Sequence, residues 1–262
     1  MNKPLFQQLQ NVQRKIESSA RKSGQDPTVI QLIAVSKGVS TDLIREAYDA
    51  GQRDFGENYA QEMKEKAALL HDLEIRWHFI GHLQRNKVKL VAPITTSIVI
   101  DSMKTAVAID LFRNSMVRVT PERVPGGSPA NSGRAGTPQA AGPVTKECFE
   151  RDSIDLFLEI NIGGESSKSG MTPKDAAELL HQMQSLQHLR VKGLICIPPY
   201  DPNPEASRPY FRQMRELAEQ LDLKELSMGM SHDFDIAIEE GATIIRVGTA
   251  IFGERRQNTS EK

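Results

Sequence analysis

The pattern that most constrains the fold of this chain is the alternation of short apolar runs with helix-like segments. Several of the runs are apolar almost throughout, which is typical of parallel strands covered on both faces. Repeated strand–helix units favour a parallel sheet closed into a barrel, with a doubly wound open sheet as the alternative. The sequence therefore predicts the α/β class and a single (β/α)8 TIM barrel. The eight predicted strands are 30–36, 54–55, 75–80, 97–100, 154–162, 191–197, 225–228 and 243–247.

An additional helix is predicted before the first strand, over residues 4–22. Its apolar residues Leu5, Leu9, Val12 and Ile16 recur at three- and four-residue steps, so they form one face of an amphipathic helix. We expect this helix to pack on the outside of the barrel. The length of 262 residues suits one barrel, so residues 1–262 are predicted to form a single domain.

One segment, residues 120–145, departs from the alternation. It is rich in Gly, Pro, Ser and Ala and contains few large apolar residues. Such a segment buries too little surface to offset its ordering entropy, which predicts a flexible surface insertion. An interdomain linker is the alternative; we favour the insertion because strands and helices alternate in the same way on both sides.

Net charge, cysteine content and the N-terminal residues bear on the class of partner and on the compartment. The formal net charge of −1 gives no reason to expect a nucleic-acid or membrane partner. The only two cysteines, Cys148 and Cys196, have no metal-type spacing, as expected of a reduced intracellular protein. The polar N-terminus lacks the apolar core of a signal peptide, and no apolar run has the length of a membrane span. The sequence therefore predicts a cytoplasmic protein.

Lys37 directly follows the first predicted strand, in the run LIAVSKG at 32–38. At the end of a buried strand an ammonium group is partly desolvated, which lowers its pKa and leaves a nucleophilic amine. Lys37 is therefore a candidate for a Schiff base with a carbonyl compound. The alternative is an ordinary lysine where a strand re-enters water, and this run alone favours that alternative.

Two segments near the end of the chain, 227–231 and 244–253, are rich in small and hydroxyl-bearing residues. Glycine lets the backbone approach an anion, and hydroxyl groups and free N–H groups at a helix start supply donors, so these segments suit a phosphate. Ordinary helix capping would use the same N–H groups. An amine for an aldehyde and a cradle for a phosphate are together what pyridoxal 5'-phosphate (PLP) requires. In a barrel these groups would meet at the carboxyl ends of the strands.

Five motifs, which follow one another over nearly the whole chain, resemble those of the pyridoxal phosphate homeostasis proteins, the YggS/PROSC family. The motifs are IAVSKG (33–38), FGENY (55–59), WHFIGHLQRNK (77–87), LSMGMS (226–231) and IIRVGTAIFG (244–253). Proteins of that family are single barrels of the alanine racemase N-terminal type. They bind PLP on a lysine and have no established catalytic turnover. The insertion at 120–145 is not expected in a typical member.

The resemblance implies that Lys37 forms the Schiff base with PLP, that three residues hold the phosphate and that Arg246 faces the pyridine nitrogen. A permanently protonated arginine would leave that nitrogen unprotonated and weaken the ring as an electron sink. From the residues alone, a salt bridge between Arg246 and an acidic residue at the rim is an equal alternative. The implied cofactor-binding residues are Lys37, Asn58, Met228, Ser231, Arg246, Gly248 and Thr249.

These features favour a monomeric PLP-binding protein that is not an enzyme and that buffers PLP or delivers it to PLP-dependent apoenzymes. The alternative is a PLP-dependent amino-acid racemase, which needs a second proton-transfer group on the opposite face of the cofactor. In the alanine racemases a tyrosine of an extra C-terminal domain has this role, and this sequence ends soon after Gly253. A third possibility is an aldolase that uses Lys37 on a sugar phosphate. His82, a lone histidine in a turn, is interpreted as a surface or capping residue.

Overall fold

The computed structural model describes residues 3–117, 153–166 and 168–254. Eight parallel strands pair in chain order, and the last pairs with the first, so the sheet closes into a barrel. This confirms the predicted (β/α)8 barrel and excludes the open doubly wound sheet. The strands are β1 (Gln31–Val35), β2 (Asp54–Glu57), β3 (Arg76–Phe79), β4 (Thr95–Ile100), β5 (Ile154–Ile160), β6 (Leu189–Cys196), β7 (Glu225–Ser227) and β8 (Ile244–Val247).

Helices lie between consecutive strands, and their apolar faces pack on the outside of the barrel. Single turns of 3-10 helix occur at Pro27–Val29, Arg85–Lys87 and Pro204–Ser207. The α-helices in the described residues are Lys3–Ser23, Thr41–Asp49, Ala60–Leu69, Val88–Val91, Met103–Val117, Pro173–Met183, Arg208–Gln220, Phe234–Glu239 and Thr249–Phe252.

The predicted N-terminal helix is present and spans Lys3–Ser23. The four apolar residues that predicted it are all buried, and Ala20 continues the same face one turn later. This face packs against the helices Phe234–Glu239 and Thr249–Phe252. The helix is therefore held against the outside of the barrel next to β8.

Several predicted strand boundaries were wrong by one to two residues. The second strand does not end at Phe55, because Gly56 and Glu57 pair with His78 and Phe79 of β3. Glycine is unfavourable in strands, so the sequence carries no signal that a strand continues through Gly56. Gly56 is required by close packing, since a Cβ atom at this position would lie 2.8 Å from Ile33 Cγ2.

The remaining boundaries differ from the prediction by one or two residues. The first strand begins at Gln31 and the last at Ile244, each one residue later than predicted. β4 and β6 begin two residues earlier than predicted, and β5 ends at Ile160. Apolar content locates a strand, but its ends depend on pairing with neighbours that are distant in sequence.

Two apolar layers hold the barrel together. The larger lies between the strands and the helices, and the smaller fills the centre of the barrel. Side chains alternate between the two faces of a strand, so a residue two positions before or after an interior residue also faces inward. The interior layer consists of Ile33, Val99, Phe157, Ile195 and Ile244, with Ile80 packed against it.

A polar cluster centred on Asp54 lies at the amino end of the barrel. The Asp54 carboxylate accepts hydrogen bonds from Gln31 Nε2 at 2.7 Å and from Arg76 Nε at 2.8 Å. His78 Nε2 lies 2.9 Å from the same carboxylate, and its Nδ1 lies 2.8 Å from Ser97 Oγ. In barrels of this kind the amino end contributes to stability, and the site lies at the carboxyl end.

The predicted insertion at 120–145 and Cys148 lie outside the described residues. Cys196 is fully buried, and burial raises the pKa of its thiol to about 12. None of the helices in the described part of the chain is both long and apolar enough to cross a membrane.

Candidate functional site

Lys37 lies in a turn directly after β1. Pairing with β2 continues one residue beyond the strand, because Ser36 N–H donates to the Gly56 carbonyl at 2.9 Å. The chain then turns, with Val39 N–H donating to the Ser36 carbonyl and Gly38 in the left-handed region at φ +69°. Lys37 is half-buried at the carboxyl end of the barrel. This is the partly desolvated position that the sequence predicted.

Arg246 lies inside the barrel, on β8. It lies two positions after Ile244, which belongs to the interior layer, so its side chain also faces inward, and it is buried. Its guanidinium donates to the Ser227 carbonyl at 2.6 Å, to Ser227 Oγ at 2.8 Å and to the Cys196 carbonyl at 2.8 Å. The group therefore ties together the carboxyl ends of β6, β7 and β8.

The alternative interpretation of Arg246, a salt bridge to an acidic residue at the rim, does not describe these contacts. Its hydrogen-bond partners are carbonyl groups and a hydroxyl group, and no carboxylate of the described residues forms an ion pair with it. Burial lowers the pKa of Arg246, and the charges of Asp233 and Glu159 oppose that change. The guanidinium nevertheless remains protonated at ordinary pH.

The predicted phosphate-binding residues come together beside β8. Ser231 Oγ accepts hydrogen bonds from the N–H groups of Gly248 and Ala250, each at 3.3 Å. Thr249, the first residue of the short helix after β8, is exposed. A hydroxyl group and two backbone donors therefore converge at one point, although the two segments are distant in sequence.

Asp233 fixes the loop that carries Ser231, and the sequence did not indicate this role. Its carboxylate accepts from Met230 N–H at 2.8 Å and from Ser207 Oγ at 2.9 Å. Gly229, at φ +89°, packs so closely against the following helix that a Cβ atom on it would lie 2.5 Å from Ala237 Cβ. The loop geometry thus depends on a buried acid and a close backbone approach. Only the glycine could have been noticed in the sequence.

Asn58 and the turn after β3 line a cavity of about 440 Å³ at the same end of the barrel. Asn58 Oδ1 is buried and has no hydrogen-bond partner within the described structure. A Cβ atom at Gly81 would lie 2.3 Å from the Asn58 carbonyl oxygen, so these two loops are in close contact. His82, also at this cavity, is exposed, and its Nδ1 lies 3.0 Å from the carboxylate of the partly buried Asp101.

The side chain of Met228 lies elsewhere. It has no exposed surface and packs in the larger apolar layer between strands and helices. Its backbone N–H donates to the Ile244 carbonyl at 3.0 Å, which continues the pairing of β7 with β8. Any contact of Met228 with a ligand at the carboxyl end would therefore involve its backbone.

The structure also places residues at this end that the sequence analysis did not single out. A second cavity, of about 250 Å³, is lined by Glu159, Asn161 and Lys168, among others. Burial raises the pKa of Glu159. A glutamate within the apolar run of β5 is the sequence signal that could have identified this position. Lys168 Nζ donates to the Pro198 carbonyl at 3.0 Å, which ties the loop after β5 to the loop after β6.

Strand order shows which predicted residues are neighbours. β7, β8, β1 and β2 are consecutive around the barrel, with Ile33 beside Arg246 and Val35 beside Gly56. The loops after these four strands carry most of the predicted site, which therefore occupies one sector of the rim. The residues concerned are Ser231 after β7, Arg246, Gly248 and Thr249 on and after β8, Lys37 after β1 and Asn58 after β2.

The fold and the site define a single (β/α)8 barrel of the alanine racemase N-terminal type with a lysine after its first strand. The family model "Alanine racemase, N-terminal domain" matches residues 8–256. A pyridoxal phosphate homeostasis protein of Aquifex aeolicus is 37% identical over 257 residues, which is 95% of this chain and 98% of that protein. The corresponding protein of Pseudomonas aeruginosa is 36% identical, over 96% of both chains.

A solved structure shows the same similarity. PipY of Synechococcus elongatus PCC7942, solved with PLP bound, is 33% identical and has a TM-score of 0.70. The alignment covers 91% of this chain and 100% of that one. The chain belongs to the pyridoxal phosphate homeostasis protein family, as its five motifs indicated.

Proposed function

We propose that this protein binds PLP at the carboxyl end of the barrel and takes part in PLP homeostasis in the cytoplasm. Lys37 forms the covalent bond: its amine adds to the cofactor aldehyde, and water leaves as the Schiff base forms. The structure of PipY with PLP bound and the names of the relatives support this proposal. The observation that carries it is the sector formed by β7, β8, β1 and β2, where an amine, a buried guanidinium and convergent N–H donors lie on adjacent strands.

The residues present fit PLP in chemical type. Ser231, Gly248 and Thr249 provide hydroxyl and backbone donors for a phosphate dianion. Arg246 provides a donor for the pyridine nitrogen from inside the barrel, and Asn58 has a buried amide oxygen without a partner. PLP supplies an aldehyde and an electron-accepting ring when it is bound.

The same residues support storage more than turnover. The Arg246 guanidinium is fixed by three hydrogen bonds and does not give up a proton, so it would keep the pyridine nitrogen unprotonated. Carbanion chemistry on the substrate would then be weakly stabilised. We therefore propose that the protein buffers PLP and releases it to PLP-dependent apoenzymes, and that it acts as a monomer.

A titration of the apoprotein with PLP, followed by visible absorption, tests the proposed function. Wild type should develop the absorption band of a lysine Schiff base, and Lys37→Ala should retain its fold but lack the band. Lys224→Ala is the matched control, because Lys224 is exposed and precedes β7 at the amino end of the barrel. Equal bands in wild type and Lys37→Ala would refute the assignment. Racemisation of an amino acid by the loaded wild-type protein would favour the enzyme alternative.

A further inference from the structure

A cluster of charged residues, two of them buried, holds the chain on both sides of Lys37. Lys66 Nζ donates to the Ser36 carbonyl at 2.6 Å, directly before Lys37. Glu62 Oε1 accepts from Gly38 N–H at 2.6 Å, directly after it. Lys66 and Glu62 are themselves joined at 2.6 Å, one turn apart on the helix Ala60–Leu69. Both peptide groups that flank Lys37 are therefore tied to the same helix.

Glu57 completes this cluster at the end of β2. Its Oε1 accepts from Lys66 Nζ at 2.8 Å and from Ser36 Oγ at 2.7 Å. Glu57 has no exposed surface, and the Lys66 side chain is only 8% exposed. Burial raises the pKa of Glu57, and the nearby Lys66 charge opposes this change. Charges buried to this extent are tolerated only with close partners, so the cluster has a defined geometry.

The cluster lies outside the barrel, behind the site. Gly56 faces the interior, since a Cβ atom there would meet Ile33 and Ile80. The next residue, Glu57, therefore faces the helix layer, where Lys66 also lies. The cluster therefore lies behind the Lys37 turn and bears on the site through the backbone of that turn.

We propose that Glu62 and Lys66 are positioning residues that hold the Lys37 turn in the geometry needed to capture PLP. The proposal rests on the proposed role of Lys37. Gly38 has a left-handed conformation, and glycine can adopt many other backbone conformations, so a turn without these two bonds would sample other geometries. A nucleophile fixed by supporting bonds reacts faster than one that must be ordered at each encounter. Glu62 and Lys66 thus affect capture without touching the cofactor.

Glu62→Ala is the most informative variant. The Glu62 side chain is 26% exposed and lies on a helix, so alanine removes the acceptor of Gly38 N–H without opening the core. Glu62→Gln retains an acceptor oxygen and should restore the wild-type behaviour in large part. Asp54→Asn is the control, because it disrupts a buried charge cluster at the opposite end of the barrel.

Two measurements are needed, one of them independent of PLP. Hydrogen exchange of the apoprotein, read at the Gly38 amide, should become about tenfold faster in Glu62→Ala. The reason is that loss of a hydrogen bond to a charged group changes the equilibrium constant for local opening by about tenfold or more. The rate constant of Schiff-base formation should fall by a similar factor. Glu62→Gln, which keeps a neutral acceptor, should show a smaller change than Glu62→Ala in both measurements, and Asp54→Asn should stay close to wild type.

The outcomes separate this inference from the proposed function. A folded Glu62→Ala that captures PLP at the wild-type rate would overturn the positioning role and leave the function intact. Equal losses in Glu62→Ala and Glu62→Gln would overturn the hydrogen-bond mechanism, because glutamine keeps the acceptor. A wild-type protein that captures no PLP would refute the proposed function, and the positioning role would fail with it.

Discussion

Arg246→Met should destabilise the apoprotein, because Arg246 supports the fold as well as the proposed site. The substitution removes three hydrogen bonds from a charged donor to Ser227 and Cys196. Such bonds contribute about 1.5–3 kcal/mol each, but their contributions do not add and the variant no longer buries a charge. We expect a net loss of about 3 kcal/mol in the free energy of unfolding. Because about 1 kcal/mol shifts the Tm of a chain near this size by about 2–4 °C, Tm should fall by about 6–12 °C.

Calorimetry of the apoproteins checks this prediction, with Arg190→Met as the matched control. Arg190 also lies in the barrel sheet, but its side chain is 57% exposed and pairs with Asp155 at 2.7 Å. Exposed pairs contribute about 0–1 kcal/mol, so the control should lose at most a few degrees. An Arg246→Met protein with the Tm of the control would show that these three hydrogen bonds contribute little to the stability of the fold.

Two further predictions concern stability at the two ends of the barrel. Gly81→Ala places a Cβ atom 2.3 Å from the Asn58 carbonyl oxygen, so we expect a loss of about 1–3 kcal/mol in a urea-unfolding measurement; unchanged stability would contradict this contact. Burial opposes ionisation of Asp54, but hydrogen bonds from Arg76 and His78 outweigh it and lower the pKa of the carboxyl group. The folded-state pKa thus lies below the unfolded value of about 3.9, so this stabilisation is present above about pH 4 and is lost as pH falls toward the folded-state pKa. The stability difference between wild type and Asp54→Asn, measured by urea unfolding at several pH values, should shrink on acidification; a constant difference would refute the assignment.

The architecture could be predicted from the sequence because its main signal is local. The apolar runs of β1, β5 and β6 locate three strands, and the helical period of Leu5, Leu9, Val12 and Ile16 locates the first helix. Strand ends could not be fixed in this way, as Gly56 shows. That glycine is paired within β2, at a position where Ile33 and Ile80 leave no room for a side chain.

The site could be predicted in part. Motifs indicated Lys37, Arg246 and Ser231, and the structure places all three on the adjacent sector of β7, β8 and β1. Their roles toward PLP stay predictions until binding is measured. Pattern alone could not show that Arg246 bonds to carbonyl groups, or that the Met228 side chain packs in the outer layer.

The charge cluster behind Lys37 was also beyond sequence reasoning. Glu57, Glu62 and Lys66 look like ordinary charges of a solvated helix and its preceding turn. Their burial follows from the packing of that helix over β1 and β2, which brings Lys66 to the Ser36 carbonyl, 30 positions earlier in the chain. Contacts of this kind depend on the closed barrel and have no local signature.

Borohydride reduction of the PLP-loaded protein, followed by peptide mapping with mass spectrometry, identifies the lysine that carries PLP. We expect the visible absorption band to disappear and a phosphopyridoxyl group to be found on Lys37. Modification of another lysine, with Lys37 unmodified, would show that Lys37 is not the anchor.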